Sequence, residues 1–450
     1  MRRLSLSNSL RISLVLLIAI LFGYLVIAIL FAVKTPAWQV PDEPAHYNYV
    51  RQVAANGCCP VLQSGDWDND YLNRIKAAKF SPQSIGDRLN TIRYEDHQPP
   101  LYYLLAAPVY AASSGNLITL RLLSVLLGAG VVILAWAVVQ TVFPAQAWLA
   151  LATAAFVAFL PQHVAMMAGV ENDSLTELIV GIILLACAVY VGNSQRKVHP
   201  LLLGLLLGVA FWTKLTVMLP MLPVVGIAIL LRARRDQWSL LRLGREIAWV
   251  GVPAILIGLP FWIRNLNTYG GLDFLAQAAH DRIVVGQIRT DEYIAAHSLS
   301  GWISDALVTT FHSFWGQFGW MSTPLPTTFY TALLVFSLFV IVGAVLAFRR
   351  WRQSLTPPQW DMLILFGVTI LAAIVMIVGY NLKFVQFQGR YIYPALIPIA
   401  FFVSVGLTGW TTLFTGRTAT ITRWAIVGAV CLFAILDVYV LFRIIIPSLA

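Results

Sequence analysis

The chain has 450 residues, of which 59% are hydrophobic and only 11% charged, where a soluble protein of this length carries about 25% charged residues. That deficit, with a mean hydropathy of +0.77, excludes an ordinary soluble globular protein. The net charge of +10 would suit nucleic-acid binding, but its placement along the chain excludes that role too.

Arg2, Arg3 and Arg11 lead into an apolar run to Val33, closed by Lys34-Thr35-Pro36. A cleaved signal peptide has a shorter apolar core and a small-residue cleavage site, so this run reads as a retained first helix. Counting runs near the ~20 residues that cross a hydrocarbon core gives about eleven spans: 11–33, 118–142, 146–163, 174–192, 200–217, 219–232, 246–263, 328–348, 361–380, 392–414 and 423–446. The sixth is short, with Pro220 and Pro223 placed to bend it. Pro100–Ala112 is apolar but too short to cross, and is expected at the interface with Tyr102 and Tyr103 at headgroup level. Cys187 and Cys431 sit inside apolar runs, whereas adjacent Cys58 and Cys59 are either a vicinal disulfide or unpaired.

The loops set the orientation. Arg196, Lys197, Arg232, Arg234, Arg235, Arg242, Arg245, Arg349, Arg350, Arg352, Arg417 and Arg423 fall on the side of the N-terminal arginines, which the positive-inside rule makes cytoplasmic. Among acidic residues only Asp236, Glu246 and Asp361 share that side. The basic excess therefore reflects insertion into a cell (inner or plasma) membrane. The expected fold class is an all-α polytopic membrane protein, residues 1–450 forming a single membrane domain. Two long outer loops, 34–98 and 264–327, carry interfacial helices, and loops of this length are usually functional.

Candidate chemistry gathers at the outer ends of the spans. Pro41-Asp42-Glu43-Pro44-Ala45-His46 follows the first span, and Pro44 suits the first turn of a helix for which Asp42 is a natural N-cap. The first loop ends in Glu95-Asp96-His97-Gln98-Pro99-Pro100, and Glu171-Asn172-Asp173 opens the fourth span, where Asp173 could serve as an N-cap. Glu177 is one turn deeper and is expected to face a polar cavity. Lys214, Arg264 and Arg390 supply cations on the same side, and Gly389 allows close backbone approach beside Arg390. Arg121 and Lys383 are expected to snorkel to headgroups. A carboxylate facing cations at the lipid–water boundary suits a lipid-linked phosphate sugar: the carboxylate takes the proton of an attacking hydroxyl, and the cations hold the phosphate.

The order of these motifs (Pro-Asp-Glu-Pro-Ala-His at 41–46, His97 to Tyr103, Asn172-Asp173, and Gln388-Gly389-Arg390-Tyr391) resembles membrane glycosyltransferases of the C-type fold. That superfamily includes protein O-mannosyltransferases and the aminoarabinose transferase of lipid A. The 41–46 string and the late Gln-Gly-Arg-Tyr look closest to the bacterial membrane family called domain of unknown function 2142. The resemblance implies a polyprenyl-phosphate sugar donor, a hydroxyl acceptor on a glycan, lipid or protein, an inverting single displacement and an outward-facing site. On it Asp42 is the base, with Glu43 as its neighbour. Lys214, Arg264 and Arg390 are assigned to donor phosphate by position and charge, and His46, His97, Asp173 and Tyr391 to substrate. Gln98 interrupts the relatives' His-Pro-Pro-Leu element, which weakens the assignment of His97. Some relatives use a divalent metal. Asp42, Glu43, His46, His97 and Asp173 offer donors for one, but their spacing demands none and none is assigned.

Two other classes compete. A transporter or flippase of a lipid-linked saccharide predicts charged or interrupted helices at the midplane and an inverted repeat. No repeat is visible, although Pro253 and Pro260 interrupt the seventh span. A polysaccharide polymerase or ligase would gather basic groups in a late outer loop, where Arg282, Arg289, His280, His297 and His312 lie. The aromatic stretch Phe311–Met321, with Trp315 and Trp320, is either a sugar-stacking surface or an interfacial belt.

Overall fold

A computed structural model describes residues 8–192, 198–414 and 416–450. Arg2, Arg3, Arg196 and Lys197 lie outside the described residues. Among those described, nine helices are long and apolar enough to cross a membrane: Leu10–Lys34, Leu117–Val142, Asp173–Val191, Leu215–Arg235, Leu240–Tyr269, Thr327–Trp351, Pro357–Asn381, Gly389–Leu413 and Ile421–Leu449. The architecture is the expected polytopic all-helical one, with one small antiparallel pairing, Gln317–Phe318 against Thr323–Pro324.

Three spans differ from expectation. The third is broken into Ala147–Ala158 and Pro161–Met167, bent by 65°. Pro161 lacks the amide that would continue the first helix, and it starts the second at a position where none is needed. The fifth, Pro200–Phe211, has 12 residues, about 18 Å of helix at 1.5 Å per residue, well short of a ~30 Å core. It lies close along Leu240–Tyr269 because Gly204 and Gly208 have no side chain: a Cβ on Gly204 would collide with the Val250 carbonyl. The sixth is full length, since Leu215–Arg235 runs for 21 residues through Pro220 and Pro223. The broken and short helices stop early at the same end, and the polar loops fill the space.

At the opposite end, Arg232, Arg234 and Arg235 close one helix and Arg349 and Arg350 another. Arg235 bridges to Asp361 at 2.6 Å.

The two long loops pack on each other. In the first loop, helices Glu43–Asn56 and Asn69–Ala77 enclose a small apolar core of Ala45, Tyr71, Leu72, Ile75, Phe80, Ile92 and Tyr94, completed by Val284 from the second loop. The second loop carries Thr290–Trp315, kinked at Ser298. Its aromatic stretch packs against the helices and the first loop. Trp315 is buried against Phe156 and Phe433, and the Trp320 indole donates to the Trp38 carbonyl at 2.9 Å. Tyr102 and Tyr103, expected at headgroup level, are fully buried. Tyr102 bonds Ser124 at 2.9 Å, and Tyr103 meets His46 Nδ1 at 2.8 Å.

Candidate active site

Four breaks between helices converge at the loop end. Asp42 follows the first helix, Glu171 and Asp173 precede Asp173–Val191, Lys214 joins Pro200–Phe211 to Leu215–Arg235, and Arg390 sits in the tight turn Gly389–Ala395. That turn reaches inward because Gly389 lies against Thr290–Trp315, where a Cβ would collide with the Thr310 carbonyl and the Phe314 amide.

Asp42 stands at the N-cap of Glu43–Asn56 but makes no capping bond. Its φ is 66°, a left-handed conformation that costs a non-glycine residue about 1–3 kcal/mol and persists only where its surroundings impose it. The carboxylate turns away from the helix. Tyr94 donates its hydroxyl to Oδ1 at 2.7 Å, and Arg390 Nη2 pairs with Oδ2. Burial alone would raise the Asp42 pKa; Arg390, His46 and the Tyr94 hydroxyl outweigh it and hold it below the ordinary aspartate value.

Every edge of the Arg390 guanidinium is used. Nε donates to Gln388 Oε1 at 2.7 Å, Nη1 to Glu171 Oε2 at 2.9 Å and Nη2 to Asp42, the fork geometry that suits arginine to two carboxylates at once. Its ring neighbour is Tyr391, 5.3 Å from the guanidinium carbon. Glu171 is the hub. Its Oε1 lies 3.4 Å from His46 Nε2 and 3.9 Å from Lys214 Nζ. Lys214 then pairs with Asp173 Oδ1 at 2.5 Å. Burial lowers the His46 pKa, but the Glu171 bond and charge overcome that and leave it raised. Glu95, half-buried beside His46, is pushed up by burial. In this chain of charges the two carboxylates open to solvent are Asp42 and Asp173, 23% and 19% exposed, while Glu171 is 2% and Arg390 3% exposed.

The cluster thus joins Asp42, His46, Asp173, Lys214 and Arg390 of the expected site, with Tyr391 beside it. Other expected members lie elsewhere. Glu43 faces the opposite way from Asp42 and is fully buried, accepting from Arg121 Nε at 2.7 Å, Arg121 Nη2 at 2.6 Å, Trp38 N at 3.0 Å and Val170 N at 3.2 Å. Arg121 therefore does not snorkel: it is 1% exposed and also donates to the carbonyls of Ala32, Thr35 and Pro36. Arg264 holds the first loop instead of the cluster, donating to the carbonyls of Cys59 and Pro60 beside a Cys58–Cys59 disulfide. His97 lies tilted against His280, centroids 4.5 Å apart, and donates from Nδ1 to the Tyr94 carbonyl at 3.0 Å. Burial and His280 push its pKa well down. Lys383 is half-exposed and paired with Asp281. Glu177 meets His163 at 3.0 Å, both buried.

Sequence reasoning gave no site role to Glu171, Tyr94 or Gln388, although Glu171 stood among the candidate groups. The signal was present for two of them: Glu171 sits two residues before Asp173, and Gln388 two before Arg390. Among the described residues no group of three or more His, Cys, Asp or Glu is arranged to hold a metal ion. Asp42 Oδ2 is paired with Arg390 and Asp173 Oδ1 with Lys214.

The fold is that of C-type membrane glycosyltransferases. The crystal structure of ArnT from Cupriavidus metallidurans bound to undecaprenyl phosphate matches with a TM-score of 0.51 at 13% identity, over 97% of this chain and 73% of that one. The apo form of the same protein gives 0.52 over the same shares. The Archaeoglobus fulgidus oligosaccharyltransferase, also apo, gives 0.53 at 13% identity over 94% of this chain, which spans 55% of its length. No curated protein matches the chain by sequence. The family model described as "Predicted membrane protein (DUF2142)" matches residues 88–400, a stretch that holds Glu171, Asp173, Lys214 and Arg390, and the chain belongs to that family.

Proposed function

We propose that this protein is a membrane glycosyltransferase that moves a sugar from a polyprenyl-phosphate donor to a hydroxyl acceptor, with Asp42 as general base, on the external side of the cell membrane. The observation that carries the reading is Asp42 itself: a solvent-reached carboxylate in a strained, uncapped conformation, held by Arg390 in front of a buried charge relay. Solved structures of the same fold include one with bound undecaprenyl phosphate, a lipid of the proposed donor class. The external placement rests on the arginine-rich helix ends opposite the site and the positive-inside rule.

The step is a single displacement. The acceptor oxygen forms a bond to the anomeric carbon from the face opposite the phosphate, and its proton passes to Asp42. The bond from the anomeric carbon to the phosphate oxygen breaks, and the polyprenyl phosphate leaves with the electron pair. Inversion follows from the opposed faces. Lys214 and Arg390 hold the charge that develops on the leaving phosphate. His46 keeps Glu171 and Tyr103 in place from behind. Glu43 acts as a structural ion pair with Arg121, and Arg264 as a loop anchor. The transport and polymerase readings find less support: the charges meet at the helix ends, and the second-loop histidines are dispersed, His297 on Tyr293 and His312 on Tyr330.

The test is Asp42→Asn in proteoliposomes supplied with radiolabelled polyprenyl-phosphate sugars. Loss of a general base costs about 10²–10⁴-fold in rate, with thermal stability retained. Full activity in this variant removes Asp42 as the base.

A further inference from the structure

Beyond its kink at Ser298 (φ 67°), the helix Thr290–Trp315 carries its apolar and polar residues on the opposite faces from a helix bathed in water. Leu299, Ile303 and Leu307 recur every fourth residue and so share one face; they are 57%, 45% and 69% exposed. Val308 widens that face, and Ser300 and Ser304 are its polar members. The other polar groups turn inward. Asp305 accepts from the Tyr293 hydroxyl at 2.7 Å. Thr310 donates to the Phe387 carbonyl at 3.1 Å, and Ser313 accepts from the Gly389 amide at 2.7 Å. A surface helix in water turns its charged and polar residues out; this one turns them in. We infer that it is immersed in the bilayer leaflet nearest the site, with acyl chains covering Leu299, Ile303 and Leu307, and that the lipid thereby holds the turn carrying Arg390.

The helix's contacts set its depth. His312 stacks on Tyr330, centroids 3.6 Å apart, and Trp315 meets Phe336 at 5.9 Å. Both partners belong to the span Thr327–Trp351, and Phe336 lies about 14 Å along it from its start at 1.5 Å per residue. Thr310 and Phe314 touch Gly389, the first residue of the span Gly389–Leu413. The end of the loop helix is therefore level with, or below, the points at which two spans begin. The apolar strip also continues into a surface that faces lipid. Phe311, its next member, packs against Trp315 at 6.4 Å, and Leu334, Val335 and Leu338 are exposed on the span that Trp315 touches. With no charge on it, the strip fits hydrocarbon chains rather than headgroups.

The inward face is the wall behind Arg390. A Cβ on Gly389 would collide with the Thr310 carbonyl and the Phe314 amide, and Tyr393, in the same turn, donates to the Phe314 carbonyl at 2.8 Å. Helix and turn are thus in backbone contact and tied by hydrogen bonds at Thr310, Ser313 and Phe314. A force that lifts the helix from the bilayer pulls on the segment 387–393. This coupling rests on the membrane-spanning fold and needs no assumption about the reaction.

The experiment uses the full chain in nanodiscs of phosphatidylethanolamine and phosphatidylglycerol. Cys187→Ala and Cys431→Ala remove the free thiols, and single nitroxide labels are placed through Ile303→Cys and Leu307→Cys. Leu338→Cys, on a span, is the lipid reference, and Asp291→Cys, whose side chain is 76% exposed at the helix start, is the water reference. Both strip labels are expected to collide with molecular oxygen as the Leu338 label does, and several-fold less with a water-soluble nickel chelate than the Asp291 label does. In a second arm, Leu307→Asp puts a charge on the strip. Amide hydrogen exchange of the peptide containing residues 386–390 is then expected to run about tenfold faster or more than in the parent, as a locally loosened segment does. Leu307→Ser carries this arm, in the same direction, if Leu307→Asp does not fold. Immersion is overturned if either strip label reports water, or if both are shielded from oxygen and nickel alike, which a second copy of the chain on this face would cause. The coupling to Arg390 is overturned if exchange in 386–390 is unchanged by the substitution at Leu307.

Discussion

Glu43→Gln separates two adjacent carboxylates that a sequence cannot tell apart. Glu43 accepts four hydrogen bonds, two from Arg121 and one each from the Trp38 and Val170 amides. Arg121 in turn ties down the Ala32, Thr35 and Pro36 carbonyls at the end of the first helix. The amide keeps the shape but removes the charge and turns an NH₂ toward a guanidinium that is 1% exposed. Breaking one side of such a buried pair costs about 3–5 kcal/mol, because the remaining charge has no solvent to turn to. That is a large part of the ~5–15 kcal/mol that holds a typical protein folded. Thermal unfolding of the purified protein, followed by intrinsic fluorescence, is expected to show a clearly lowered midpoint, with transfer per folded molecule retained. Adding Arg121→Met is expected to recover only part of the loss, since the three carbonyls, and the amide that faces the glutamine nitrogen, then lack partners. A Glu43→Gln protein as stable as the parent but inactive in transfer would refute this division of labour and return Glu43 to the catalytic site.

Arg390→Ala is expected to raise the donor KM at least tenfold while the acceptor KM changes little; an unchanged donor KM counts against phosphate binding by Arg390. Arg264→Ala is expected to leave the donor KM unchanged and to speed proteolysis around Cys58–Cys59–Pro60, since it removes two donors from that stretch of loop. A rise in donor KM equal to that of Arg390→Ala would place Arg264 in the site after all.

The spans were legible because apolar runs and arginine-capped ends are local signals. The broken third span was not: 147–161 is apolar but for Thr153, and the bend comes from Pro161, close to the expected end, so the run looked like one crossing. Asp42 and the cations Lys214 and Arg390 could be placed together from their common end of the helices, but the hub could not. Glu171 lies in a connecting segment, where no periodicity says which way a side chain points, and its bond to Arg390 joins residues far apart in sequence. The split between Asp42 and Glu43 was equally invisible. It depends on one left-handed backbone angle at Asp42, which turns neighbouring carboxylates to opposite sides. Tyr102 and Tyr103 misled for a related reason: tyrosines favour the interface in general, but here hydroxyl partners at Ser124 and His46 draw both inside.

The site's charges carry one more consequence for catalysis. Asp42, Glu171 and Asp173 face Arg390, Lys214 and His46, a balanced set, as an apolar surrounding requires. A donor phosphodiester adds a negative charge, so it must compete with a carboxylate for a cation. Asp42 is the carboxylate placed to yield, being more exposed than Glu171. Once Arg390 turns to phosphate, the largest influence holding the Asp42 pKa down is gone and burial, which raises it, prevails. The free enzyme therefore carries an Asp42 that stays ionised to low pH, while the donor complex carries a stronger base, nearer the working pH where proton transfer is most efficient. The acid limb of kcat/KM, which reports the free enzyme, is expected below the ordinary aspartate range. The acid limb of kcat, which reports the donor complex, is expected at higher pH. Coincident limbs in the two profiles would show that Arg390 never leaves Asp42, and donor binding would then have to rely on Lys214 alone.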